Sequence, residues 1–282
     1  MDKGFLYVAT GKKILEEAEF SAKNIKSRMD MPITVVSDRP YDSEYFDTVF
    51  IDDNPKRSFE DKFRNLLKSP YDKTIYIDHD VQVLEPVPEL FELLDNVDII
   101  TSIDPNQKGL IMNSSKEFAD VPESFPIPQG GVIGYKKTDR FKGLIDQWKE
   151  IHYENDMGND QASLRAALYR SDVRHHTFAG LYDCMMKWPI QVTGEVKIIH
   201  GHLEIDDLED LRKIEKRVNK THEPRLFHST HRGQVFVPTS YFWNSIFKHI
   251  SRVPINIYRF RSSVHSEGLS KSIKKSIDEL LK

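Results

Sequence analysis

The sequence predicts an α/β fold, with a mostly parallel sheet flanked by helices, on two observations. Short apolar, β-branched runs alternate with stretches of helical spacing through the first half of the chain. Polar residues with ligand chemistry then stand directly after apolar runs, at Asp38, at Asp78-His79-Asp80 and at His200. Ligands of open α/β sheets bind at the carboxyl ends of strands, so that placement fits the same architecture.

Gly4 to Thr10 is an apolar run closed by Gly11 and reads as a buried strand. From Ile14 to Met29, Ala18, Ala22 and Ile25 recur at three and four residues, the period of a helix, and Pro32 stops it. Ile33 to Ser37 is a β-branched strand ending in Asp38, and Asp47 to Ile51 is a third strand. Phe59 to Leu67 predicts a helix and Ser69 to Asp72 a turn. Thr74 to Ile77 is a fourth strand that runs straight into Asp78-His79-Asp80. Asn96 to Ser102 and Val132 to Tyr135 read as further strands. Between them Pro122, Pro126 and Pro128 mark a loop leading to Gln129-Gly130-Gly131. Phe141 to Glu154, Asp160 to Tyr169 and Asp206 to Val218 predict helices. Val196 to Ile199 is a short strand ending at His200-Gly201-His202.

A chain of 282 residues allows one large domain with a small appendage. Its net charge of −4 argues against a general affinity for nucleic acid. From Lys248 to Lys282, eight Lys/Arg against three Asp/Glu give +5, so the rest carries −9. The appendage, residues 241–282, is expected to be helical; it interleaves aromatic and basic residues, as in Tyr241-Phe242-Trp243 and Tyr258-Arg259-Phe260-Arg261. Such a segment suits either packing on the main domain, residues 1–240, or peripheral contact with an anionic membrane surface. The lone Cys184 excludes an intramolecular disulfide framework. No apolar run reaches the ~20 residues of a membrane span, and Phe5 to Ala9 is too short for a signal-peptide core. A cytoplasmic protein, at most peripheral at the inner face of the membrane, is expected.

Asp78 and Asp80, spaced i, i+2 at a strand end, can project to the same side. Paired carboxylates there suit a hard divalent cation such as Mn²⁺ or Mg²⁺, although such a DxD motif also suits a plain acidic turn. His200 likewise ends an apolar strand, and Gly201 beside it allows close backbone approach. Gln129-Gly130-Gly131 permits positive φ or leaves room for a ligand. Asp160, opening a helix, suits an N-cap or a site carboxylate.

In order and spacing over residues 5–202, these pieces resemble the nucleotide-diphospho-sugar transferases of GT-A fold, whose relatives include glycogenin and the bacterial lipopolysaccharide galactosyltransferases. The carrying residues are Val8-Ala9-Thr10 at the first strand end, Asp38 at the second, a basic residue (Lys62 or Arg64) before the fourth strand, and Ile75 to Asp80. Pro88-Glu89-Leu90-Phe91, Gln129-Gly130-Gly131, Asp160-Gln161 and His200 follow. Gln129 stands where the family usually has Asn, and the family's late Lys-Pro-Trp is missing. The resemblance implies a glycosyltransferase using Mn²⁺ (or Mg²⁺), with residues 1–240 as its catalytic domain. It implies metal ligands Asp78, Asp80 and His200, and catalytic residues Asp160 and Gln161. Donor contacts would come from Ala9, Thr10, Asp38, Lys62, Arg64, Asp78, His79, Gln129, Gly130 and Gly131. The implied donor is a nucleotide-sugar, UDP-hexose by preference, and the acceptor a glycan, lipid-linked or protein group, with retention of configuration. Two alternatives use the same motifs. One is an aspartate-nucleophile phosphohydrolase, which usually has its Asp-x-Asp on the first strand. The other is a non-catalytic nucleotide-sugar binder.

Overall fold

A computed structural model of the chain describes residues 2–106, 118–155, 159–186, 190–201, 205, 207–230 and 233–238. The 241–282 segment and His202 lie outside the described residues. The first strands are β1 (Lys3–Ala9), β2 (Ile33–Ser37), β3 (Thr48–Ile51), β4 (Lys73–Ile77) and β5 (Val81–Val83). They are followed by β6 (Ile99–Ile103), β7 (Pro128–Lys136), β8 (His175–Thr177), β9 (Cys184–Met185), β10 (Ile190–Val192) and β11 (Ile198–His200). Last come β12 (Arg225–Thr230) and β13 (Gly233–Pro238). The main sheet has seven strands in the order β3-β2-β1-β4-β7-β6-β8. It is mainly parallel; β7 alone runs antiparallel to its neighbours β4 and β6.

Side-chain alternation along the strands builds a core on each face. Phe5, Tyr7, Ile75 and Ile77 point to one face and pack with Leu15, Ala18, Ala22 and Ile25 of α1 (Lys12–Lys26) and Leu90 and Phe91 of α3 (Pro88–Leu93). Leu6, Tyr76 and Ile133 point to the other, against Phe63 of α2 (Glu60–Asn65), Trp148 of α4 (Asp139–Glu154) and Leu164 of α5 (Asp160–Arg170). Strands buried on both faces must be apolar throughout, so β1, β2 and β4 carry continuous runs rather than alternation. A smaller core joins Leu84, Cys184, Ile199 and Leu211 under α6 (Leu208–Val218). Among the described residues no helix is long and apolar enough to cross a membrane.

Chain order reverses between β1 and β4: β2 and β3 extend one way from β1, and β4 lies on the other side. That switch point opens a crevice at the strand carboxyl ends. A second sheet, β5-β11-β9, borders it. Its edge strand β5 is tied to the first helix, because Ser21 Oγ donates to Val81 O (2.6 Å) and Asn24 Nδ2 to Val83 O (2.5 Å). These two polar residues are buried on α1 because they satisfy an edge that has no strand beside it.

Most expected elements lie within a few residues of their observed bounds. One differs in kind: Gln129-Gly130-Gly131, expected to precede a strand, lies inside β7. Pro128, which lacks an N–H, takes the first position of the strand, where Pro is tolerated. The β4 register ends at Ile77 opposite Val132, and the β6 register shifts between Ile133 and Gln129. The two glycines therefore lie at an irregularity of the sheet, where Gly131 O accepts from the Asp78 N–H.

Candidate metal and donor site

The site begins where β4 ends. Asp78 N–H donates to Gly131 O (2.8 Å), and Val81 N–H donates back to Asp78 O (3.2 Å), so the chain turns tightly into β5. β5 pairs antiparallel with β11 and sets Val81 opposite His200. Gly201, at φ 131°, donates its N–H to Asp80 O (3.1 Å). Backbone pairing therefore delivers a histidine from far along the chain to the aspartate turn. One ligand atom each from Asp78, Asp80 and His200 lies within 4.8 Å of the others, a donor set that can hold a divalent metal.

The His200 ring is gripped from two sides. Its Nδ1 lies 2.8 Å from Asp183 Oδ1, and its Nε2 lies 3.5 Å from Asp80 Oδ1. Asp183 is fully buried, and its other oxygen accepts from Ser102 Oγ. Gly131 supplies the space opposite, since a Cβ there would overlap the imidazole. Neither Gly130 nor Gly131 has positive φ; room for a neighbour, not unusual backbone, is what these glycines provide. Burial by itself favours the neutral ring, but the Asp183 and Asp80 carboxylates outweigh it and raise the His200 pKa to about 10.

Lys62 of α2 enters from below. Its Nζ lies 3.0 Å from Asp160 Oδ2, 3.4 Å from Asp78 Oδ2, donates to Gly130 O (3.0 Å), and stands 5.5 Å from the Tyr76 ring centroid. Burial works against its charge, yet Asp160 and Asp78 hold it above the ordinary lysine value. Asp160 is the first residue of α5, not its cap: Asn159 caps the helix by accepting from the Gln161 and Ala162 N–H groups. The Asp160 side chain is thereby released toward Lys62. Its Oδ2 is buried against the Lys62 ammonium. Gln161 Nε2 donates to Asp104 Oδ2 (2.8 Å) and Pro128 O (3.1 Å).

No protein-family profile matches the chain, and no curated protein does. Solved structures match it in fold. The galactosyltransferase LgtC, solved in complex with donor and acceptor sugar analogues, is 13% identical, with a TM-score of 0.52 over 78% of this chain and 97% of LgtC. The fold is the GT-A fold of glycosyltransferases. The apo structure of the bifunctional glycosyltransferase WbbM is 12% identical, with a TM-score of 0.53 over 78% of this chain; this chain spans only 51% of WbbM.

Within the GT-A crevice, the β1 and β2 ends form a second group. Ala9 is fully buried, and Thr10 Oγ1 donates to Asp61 Oδ2 (2.7 Å). Asp38 is clasped by Arg39 (2.9 and 3.1 Å) and Arg57 (3.2 Å). The Arg39 hydrogen bonds, against a smaller burial effect, hold its carboxyl well below the usual carboxylate range. Arg64 turns away from Lys62 to Asn54 O (2.9 Å) and Asp61 (3.3 Å). His79 Nε2 lies 3.3 Å from Glu17. Gln129 Oε1 accepts from Gly131 N–H (2.7 Å) and stiffens the strand behind His200.

Sequence reasoning passed over Asp61, Asp104 and Asp183. Each acts through another residue: Asp61 through Thr10, Asp104 through Gln161, Asp183 through His200. Asp104 does follow the β6 run directly, the same strand-end signal that marked Asp38 and Asp78. Asp183 carries no such signal, because β9 is only two residues long and begins after it.

Proposed function

We propose that this GT-A chain is a metal-dependent glycosyltransferase that moves a hexose from a UDP-sugar to a glycan, lipid-linked or protein acceptor, with retention. The observation that carries the reading is the convergence of Asp78, Asp80 and His200 beside the buried Lys62–Asp160 pair at the switch point. Carboxylates outnumber cations there, and an added divalent ion offsets their mutual repulsion. Asp78, Asp80 and His200 would hold Mn²⁺, or Mg²⁺, which when bound neutralises the donor diphosphate and eases departure of the nucleotide. Lys62 adds a fixed positive charge at the same end. Asp160, paired with Lys62 at 3.0 Å, would set a carboxylate beside the donor sugar. Gln161, held by Asp104, is oriented beside it. Ala9, Thr10 and Asp38, at neighbouring strand ends, would line the nucleoside pocket.

The test is Asp80→Ala. It should lose Mn²⁺-dependent UDP binding by calorimetry while keeping the wild-type melting temperature; unchanged binding of metal and UDP would falsify the assignment. The phosphohydrolase alternative is not favoured, because the motif follows the fourth strand. We further propose peripheral membrane attachment through residues 241–282. Co-sedimentation with anionic but not neutral vesicles supports it, and recovery in the supernatant with both opposes it.

A further inference from the structure

We propose that Asp183, itself held by Ser102, is a positioning residue that fixes His200 as a nitrogen ligand and so makes the site discriminate Mn²⁺ from Mg²⁺. The claim rests on the glycosyltransferase reading for the presence of a metal, but its geometry stands apart. An imidazole can present either ring nitrogen, and the choice is set by what the other one bonds. Here Asp183 Oδ1 takes Nδ1 at 2.8 Å, leaving Nε2 toward Asp80. Ser102 Oγ donates to the second carboxylate oxygen, so Asp183 cannot rotate away without losing a buried hydrogen bond.

The backbone makes the spacing rigid. Asp183 directly precedes β9, which runs parallel to β11 with Met185 opposite His200. Gly131 leaves room for the Cε1 edge of the ring, and a flip that exchanged the nitrogens would turn a carbon toward Asp183 and lose the 2.8 Å contact. A carboxylate behind an imidazole raises its basicity as a ligand. Imidazole suits transition metals, whereas Mg²⁺ keeps oxygen ligands and water. The buried Asp183–His200 pair therefore strengthens the nitrogen arm that Mn²⁺ uses and Mg²⁺ does not.

Were Asp183 merely a counter-charge for a buried histidine, its removal would lower stability and leave the metal ratio alone. The test titrates the full chain with MnCl₂ and MgCl₂ alone. Free Mn²⁺ is read by electron paramagnetic resonance, and Mg²⁺ by competition. Asp183→Asn, which keeps the shape, should weaken Mn²⁺ binding on the order of 10- to 100-fold and Mg²⁺ binding far less. Ser102→Ala should move the ratio the same way by a smaller factor, and it decides the matter if Asp183→Asn does not fold. Equal weakening of both metals, or none, overturns the proposal. UDP binding in the presence of Mn²⁺, measured in parallel, reads the glycosyltransferase assignment. Wild-type protein that binds Mn²⁺ but no UDP sinks that assignment, while the metal ratio still decides the role of Asp183.

Discussion

Gly131 sits in the middle of a strand that would gain β propensity from almost any other residue. It is glycine because a methyl group there would fall on the His200 ring. Gly131→Ala is therefore expected to displace His200 and cut Mn²⁺ affinity at least tenfold, measured by the same resonance titration; wild-type affinity would show that the ring has another place to go. Lys62 makes the complementary case. Its side chain is 7% exposed, and Asp160, at 4%, depends on it for charge compensation. Removing one partner of a buried pair costs about 3–5 kcal/mol, because the other charge is stranded. Lys62→Met should lower the urea midpoint accordingly, and Lys62→Met with Asp160→Asn should recover part of the loss. If the double variant is no more stable than the single, the pair is not the cause.

At the scale of an element, α5 shows how a helix start aims side chains. Asn and Asp are equally good caps, so Asn159-Asp160 admits two registers from local chemistry. Tertiary partners choose between them: Lys62 takes the Asp160 carboxylate and Trp148 Nε1 donates to Asp160 O (3.1 Å). Asn159→Ala should cost about 1 kcal/mol of stability. It should also lower UDP-sugar affinity, since the first turn carries both Asp160 and Gln161. A stability loss with unchanged donor affinity would detach the cap from the site. The turn from β4 into β5 is the other such element. Its period is too short to register as a strand in sequence, yet through β11 it delivers His200.

Over the whole molecule, Asp98 ties the far end of the sheet to its helical layer. Its fully buried carboxylate accepts from the Arg174 backbone and guanidinium (3.0 to 3.1 Å) and from Thr138 Oγ1 (3.3 Å), the cap of α4. The Arg174 hydrogen bonds, opposed by burial, lower its pKa. A carboxyl whose folded pKa lies below the unfolded value of about 3.9 contributes stability that is present above that value. This contribution is lost as pH falls through the folded pKa. Asp98→Asn should therefore be less stable than wild type at pH 7, with the gap narrowing as the pH drops below about 4. Urea midpoints at both pH values check this; a gap independent of pH would mean that the shape of the side chain, and not its charge, matters.

By itself the sequence determined the alternation of strands and helices, the apolar character of the doubly buried strands, and the strand-end positions of Asp38, Asp78, Asp80 and His200. All of these follow from local period and from where polarity interrupts an apolar run, and both are properties of neighbouring residues. Tertiary structure decided which of Lys62 and Arg64 turns inward, that the glycine pair lies within β7, and that Asp183 and Asp104 stand behind His200 and Gln161. Those outcomes depend on contacts between residues distant in sequence, fixed by strand order and register. No single stretch of chain contains the partner that makes its charged or small residue necessary.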